Sequence, residues 1–121
     1  MAKTLYTGTA EGPGTVTSET QTRHLKGVRL FLNITDQTGA GSLNVKLQVY
    51  DAAAEEWIDL PGATFEQQTG LGQWMLTVHP NIAAVANVAV SQYVGSPWRV
   101  SITEAGADTT FTFTVAYVPL S

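Results

Sequence analysis

Two stretches of the chain, VRLFLNI at residues 28–34 and LNVKLQV at residues 43–49, decide its fold class. In both, every second side chain is Val, Leu or Ile. Successive side chains of a β-strand point to opposite faces, so this period of two predicts two strands that are each buried on one face. The intervening residues 36–42, DQTGAGS, have the glycines of a turn, and the pair is therefore predicted to form a β-hairpin.

The same alternation returns later in the chain, at residues 74–78, 98–103 and 111–117, with shorter apolar stretches at 57–60 and 63–67. Turn residues such as Gly and Pro separate these stretches. Seven to eight short strands with one apolar face each indicate an all-β fold, an antiparallel β-sandwich with a jelly-roll-like or Ig-like body. A partly closed barrel fits the pattern as well.

Composition supports this fold class and limits the chemistry. The chain has 121 residues, the length of one domain, and no cysteine, which excludes a disulfide framework and a thiolate metal site. Only 13% of its residues are charged, whereas Thr occurs 17 times, and Thr favours strands over helices. With a net charge of −4 and six Lys and Arg, the chain lacks the clustered positive charge of a nucleic-acid binder. No apolar run is long enough for a membrane span or a signal peptide, so a cytoplasmic site of synthesis is expected.

Residues 1–24 differ from the rest because they are polar and contain the breaker Gly12-Pro13-Gly14. They are predicted to form an extended N-terminal arm, in which the weak alternation of residues 15–21 fits pairing at a sheet edge, followed by a β-sandwich domain at residues 25–121. The arm carries the apolar residues Leu5, Tyr6 and Val16, which we expect to act as anchors on a partner, unless the arm is only a frayed terminus.

A second set of contact candidates comes from the apolar run at residues 82–94, which has no clear period. This run predicts either a cap over the end of the sandwich or a subunit interface. Its candidate contact residues are Ile82, Val85 and Tyr93.

No catalytic, metal or cofactor site is predicted, and no small-molecule substrate is expected. His24 and His79 are isolated in the sequence, and no nucleophile elbow accompanies them. The acidic residues Asp51, Glu55, Glu56 and Asp59 lack the spacing of a calcium loop and are interpreted as a solvated turn.

The three tryptophans raise the alternative of a carbohydrate-binding module, which would need exposed aromatic side chains. Trp74 and Trp98 share their strand faces with Leu, Val and Ile and are therefore predicted to be core residues. Only Trp57, in a turn-rich region, is expected to be exposed.

Residues 26–35, 39–50 and 57–63, together with Pro97-Trp98-Arg99-Val100 and the Thr-rich stretch 111–117, resemble small virion proteins of tailed bacteriophages. The resemblance implies a non-enzymatic β-sandwich protein that decorates the phage head and stabilises it as a cement protein. Its implied partners are the major capsid protein and copies of itself, frequently arranged as a trimer, and its implied location is the virion. A component of the tail or of the head–tail junction is the alternative within the same class.

Overall fold

The computed structural model describes residues 2–121, which form nine β-strands. The strands are β1 Lys3–Glu11, β2 Gly14–Thr17, β3 Gly27–Thr38, β4 Ser42–Asp51, β5 Glu56–Thr64, β6 Gly72–Val78, β7 Ala89–Val90, β8 Trp98–Ala105 and β9 Thr110–Leu120. None of the described residues belongs to a helix that is long and apolar enough to span a membrane.

The strands form two sheets that pack face to face. Sheet A has the order β1-β9-β3-β6-β7 and sheet B the order β2-β8-β4-β5. Neighbouring strands are antiparallel, except that the two-residue strand β7 runs parallel to β6. The predicted all-β sandwich is confirmed.

The core lies between the sheets and consists of the alternating side chains that the sequence marks. In β3 these are Val28, Leu30, Leu32 and Ile34, all buried. The apolar faces of β4, β8 and β9 are buried in the same way, because each strand of a sandwich turns one face to the opposite sheet.

The prediction that Trp98 is a core residue is confirmed. Its side chain is fully buried and packs edge-on against Tyr117, with the ring centroids 5.1 Å apart. Trp74 lies on the inner face of β6 opposite Leu32 and is partly buried against the core.

The prediction of a hairpin between residues 28–34 and 43–49 is wrong. Strand β3 pairs with β9 and β6 in sheet A, whereas β4 pairs with β8 and β5 in sheet B. Alternation specifies which face of a strand is buried but not which strand lies beside it, and two strands that face each other across a core have the same pattern as two neighbours. The link at residues 39–41 therefore crosses between the sheets, and it passes so close to β8 that a Cβ atom on Gly41 would overlap the Ala105 carbonyl oxygen.

Most of the predicted N-terminal arm lies within the sandwich. Strand β1 is an edge of sheet A, paired with β9, and β2 is an edge of sheet B, paired with β8. The contact with β8 continues as far as Gln21, whose backbone bonds that of Trp98. An edge strand is held by backbone hydrogen bonds along one side and needs few apolar side chains, so a polar segment can still be part of a sheet.

Candidate functional site

Three of the predicted contact residues hold the N-terminal strands against the chain's own sandwich. Leu5 is buried in the core, and Tyr6 stacks on Phe113 with the ring centroids 5.8 Å apart. Val16 is half-buried and packs against the core as well. The apolar surface of these three side chains is therefore largely used within this chain.

The end of β1 also carries a cluster of acidic groups. The Tyr6 hydroxyl donates to Glu11 Oε2 at 2.6 Å, and this bond, together with burial, raises the pKa of Tyr6 to about 12. Glu104 of β8 points into the core and is only 4% exposed, and neither of its carboxyl oxygens has a hydrogen-bond partner in the described chain. Burial, with a smaller contribution from the charge of Glu11, raises the pKa of Glu104 to about 7.

The other three candidates lie around β7, in the apolar run that the sequence left open between a cap and an interface. Val85 and Tyr93 are about half exposed, and Ile82 is half-buried. The segment partly acts as a cap, because Val90 and Val94 are buried and β7 bonds β6. The Tyr93 hydroxyl is in hydrogen-bond contact with the His24 ring.

These exposed residues belong to a longer stretch of sequence without charged residues. Residues 67–98 contain no Lys, Arg, Asp or Glu; they comprise β6, β7 and the loops around them, at one edge of sheet A, and end at the buried Trp98, the first residue of β8. Within residues 2–121, five of the six large hydrophobic side chains that are strongly exposed belong to this segment, each 46–60% exposed. They are Leu71, Met75, Val85, Val88 and Tyr93. We call residues 67–98 the charge-free edge.

The outer face of sheet B has the opposite character. Asp59 accepts from Lys46 Nζ at 2.8 Å and from Gln48 Nε2 at 2.9 Å. Gln48 Oε1 in turn accepts from Arg99 Nε at 2.9 Å, and the Arg99 guanidinium lies 4.2 Å from the centre of the Trp57 ring. The two hydrogen bonds hold the pKa of the Asp59 carboxyl below its usual range, so this acceptor is ionised at neutral pH. We call this row of side chains the polar ladder.

The remaining chemical candidates are dispersed. Across residues 2–121, no group of three His, Asp or Glu side chains could hold a metal ion together. His79 Nδ1 accepts from the Asn81 backbone, so its Nε2–H donates to the Ser121 carbonyl at 2.9 Å. In the acidic turn, Asp51 accepts from the backbone N–H groups of Ala53 and Ala54.

Comparison of the chain with protein-family models, with curated proteins and with solved structures finds no match.

Sequence reasoning did not find the charge-free edge as a unit, although its signal was present: no other part of the chain is free of charged residues over a comparable length. The polar ladder was not predictable, since it depends on the register that places Asp59 beside Gln48 and Gln48 beside Arg99. The inward position of Glu104 was not predicted, although this residue continues the alternation of Trp98, Val100 and Ile102 in β8, which ends one residue later.

Proposed function

We propose that the protein is a non-enzymatic structural protein of a tailed-bacteriophage particle that binds the outer capsid surface as a decoration protein. Its partners in this role are the major capsid protein and copies of itself, and its location is the virion. The resemblance of residues 26–35, 39–50 and 57–63 to small virion proteins suggests the class of particle.

The charge-free edge is the observation that carries the proposal. Protein interfaces are depleted of charged residues at their centre, because a charge that loses water without gaining a partner costs several kcal/mol. Exposed apolar side chains are normal when they are scattered, but their concentration in one uncharged segment marks an interaction surface. Such a surface suits contact that persists, as in an assembled particle.

The β-sandwich body fits the same role. The core residues of β3, β4 and β8 are fully buried, so the body can present the charge-free edge without changing shape. Strands β1 and β2 are edge strands, one in each sheet, and they are joined by Gly12 and Pro13 alone. Because this link is short, neither strand can move far without the other.

The direct test is the location of the protein on gradient-purified particles of the phage or prophage that encodes it. Immunogold labelling with an antibody against the full chain is expected to mark the outside of the head, and mass spectrometry is expected to find the protein in the same fractions as the major capsid protein. Label on the tail would assign the protein to the tail or junction instead. Absence from the particles would overturn the proposal.

A further inference from the structure

A groove lies on the outer face of sheet B, beside the polar ladder. Strand β5 pairs with β4 at Asp59–Gln48 and again at Thr64–Lys46, so four residues of β5 stand opposite the single residue Leu47. Residues 60–63 have no pairing partner in β4 and bulge out of the strand, with Gly62 in the left-handed region at a φ of 78°. We call residues 60–63 the β5 excursion. This excursion forms one wall of a groove of about 500 Å³.

The lining of the groove combines hydrogen-bonding groups with the apolar residues Leu60, Pro61, Ala63 and Ala105. Its polar lining includes Ser42, Asn44, Lys46, Asp59, Thr64 and Thr103. Hydroxyl, amide, ammonium and carboxylate groups therefore surround one volume, which lies within the range of 300–1,000 Å³ that is typical of small-molecule sites. A ligand with many hydroxyl groups, each both donor and acceptor, matches this lining.

The side chains of the groove are held in place in the free chain. Lys46 and Gln48 donate to both oxygens of Asp59, and the Asn44 amide oxygen, at 3.2 Å, shares the Thr64 hydroxyl with the carbonyl oxygens of Val45 and Phe65. Because these rotamers are already ordered, a ligand loses less entropy on binding than it would at a flexible surface.

An aromatic pair extends the ladder beyond Asp59. Trp57 lies beside Tyr50 with the ring centroids 5.2 Å apart, and both residues belong to the same face as Gln48 and Asp59. The Arg99 guanidinium already covers one face of the Trp57 ring, and neither aromatic side chain lines the groove, so apolar contact with the C–H face of a sugar ring comes from Leu60 and Pro61 within the groove. A peptide that extended the sheet would need an unbroken edge strand, and the excursion interrupts the edge of β5 at this point.

We propose that this groove binds a neutral saccharide. Asn44 and Asp59 bind the hydroxyl groups of one sugar unit, Lys46 adds a donor, and Leu60 with Pro61 contacts its C–H face. The charge of Lys46 is compensated by Asp59 at 2.8 Å, which is why the site is assigned to a neutral rather than an acidic sugar. The assignment does not depend on the virion role, since the groove belongs to the folded chain itself.

The test is a titration of the full chain, labelled with ¹⁵N, with three probes: maltohexaose, cellohexaose and chitohexaose at millimolar concentrations. We expect at least one probe to shift amide signals of β4 and of residues 59–64, and to leave those of β6 unchanged. Asn44→Ala is expected to weaken this binding about tenfold, the effect of losing one or two hydrogen bonds. Thr7→Ala, at an exposed position of β1 in sheet A, is the matched control and should bind as the unchanged chain does.

Asp59→Ala removes the centre of the ladder, and its amide spectrum shows whether the variant is folded. If Asp59→Ala alone were unfolded, Asn44→Ala would still decide the outcome. No shift with any of the three probes would overturn the proposal, as would shifts outside the groove or equal binding by Asn44→Ala and the unchanged chain.

Discussion

The charge-free edge and the polar ladder lie on either side of the β5 excursion and expose opposite chemistry. Pro61 and Gly62 line the groove beside the ladder and also a smaller pocket of about 220 Å³ that Val85 and Ala89 share. On the edge, large apolar side chains face solvent and the segment itself has no Lys, Arg, Asp or Glu; the charges beside it come from other segments, Arg29 next to Thr77 and Arg23 and Lys26 next to Tyr93. On the ladder, the charged groups are already hydrogen-bonded to one another, and it contains the one ion pair among residues 2–121.

This difference indicates how each surface can bind. Apolar contact is non-directional and becomes favourable only when a partner excludes water over a large area. An ordered row of hydrogen-bonding groups selects a small ligand by geometry instead. One sandwich can therefore offer a surface for persistent assembly and a separate site for a small polar molecule.

The largest expected effect comes from placing charge on the edge. Val85→Asp together with Val88→Asp should lower the affinity for capsids about a thousandfold, because two carboxylates would lose water in an apolar interface. Both positions are about half exposed, so the midpoint of urea unfolding should stay unchanged. Co-sedimentation with capsids measures the loss.

Ile58→Asp is the matched control for this variant. Ile58 is 44% exposed but lies outside the charge-free edge. Equal losses for Ile58→Asp and the double variant would remove the distinction between the edge and the rest of the surface.

The second-largest effect is expected for Glu104, whose carboxyl group belongs to neither of the two surfaces. Sheet B carries its other charged groups on its outer face, whereas Glu104 lies on the inner face with a pKa raised to about 7. The folded state therefore favours the protonated form of Glu104. The stability that depends on this protonation is fully present below about pH 4.5 and is lost as the pH rises through about 7. From the shift, the free energy of unfolding should fall by about 3 kcal/mol between pH 4.5 and 9.

Glu104→Gln should flatten this fall, because an amide does not ionise in that range. Glu66→Gln, at an exposed position, should keep the slope of the unchanged chain. Tyr6, with its pKa near 12, stays protonated up to pH 9 and does not add to the slope. Urea unfolding at several pH values measures the slope of the unfolding free energy against pH. Equal slopes for Glu104→Gln and Glu66→Gln would show that Glu104 does not cause the fall.

The smallest effect is expected on the polar ladder itself. Lys46→Met removes an ion pair whose side chains are 38% and 54% exposed, and such pairs contribute about 0.2–1 kcal/mol. Thermal unfolding should therefore change little, even though the ladder contains the densest hydrogen bonding of the outer face. A loss of several kcal/mol in the free energy of unfolding would mean that the polar ladder serves to stabilise the fold rather than to bind a ligand.

The sequence predicts which face of each strand is buried, but it does not predict which strands pair with one another. The alternation at residues 28–34, 74–78 and 98–103 identifies buried side chains correctly, because the side-chain period of a strand is a local property. The crossing between β3 and β4, and the inclusion of β1 in sheet A, depend on contacts between distant segments, whereas the weak alternation at residues 15–21 does predict an edge strand where β2 lies. Local patterns do not encode those contacts.

The same limit applies to the contact residues. Val85 and Tyr93 are exposed where the apolar run predicts an unusual surface, whereas Leu5, Tyr6 and Val16 pack on the chain's own sandwich. The sequence shows that these residues are apolar in a polar segment but not which surface they cover. Met75 and Val88 were missed because a single exposed apolar residue on a strand or loop has no distinctive pattern.

A cryo-electron microscopy reconstruction of the particle, at a resolution that orients the sandwich, shows whether the charge-free edge binds the capsid. We expect density for this protein on the outside of the head, with Val85, Val88 and Tyr93 against a capsid subunit or a second copy. Density on the head with the charge-free edge turned to solvent, or no density for the protein on the particle, would contradict it.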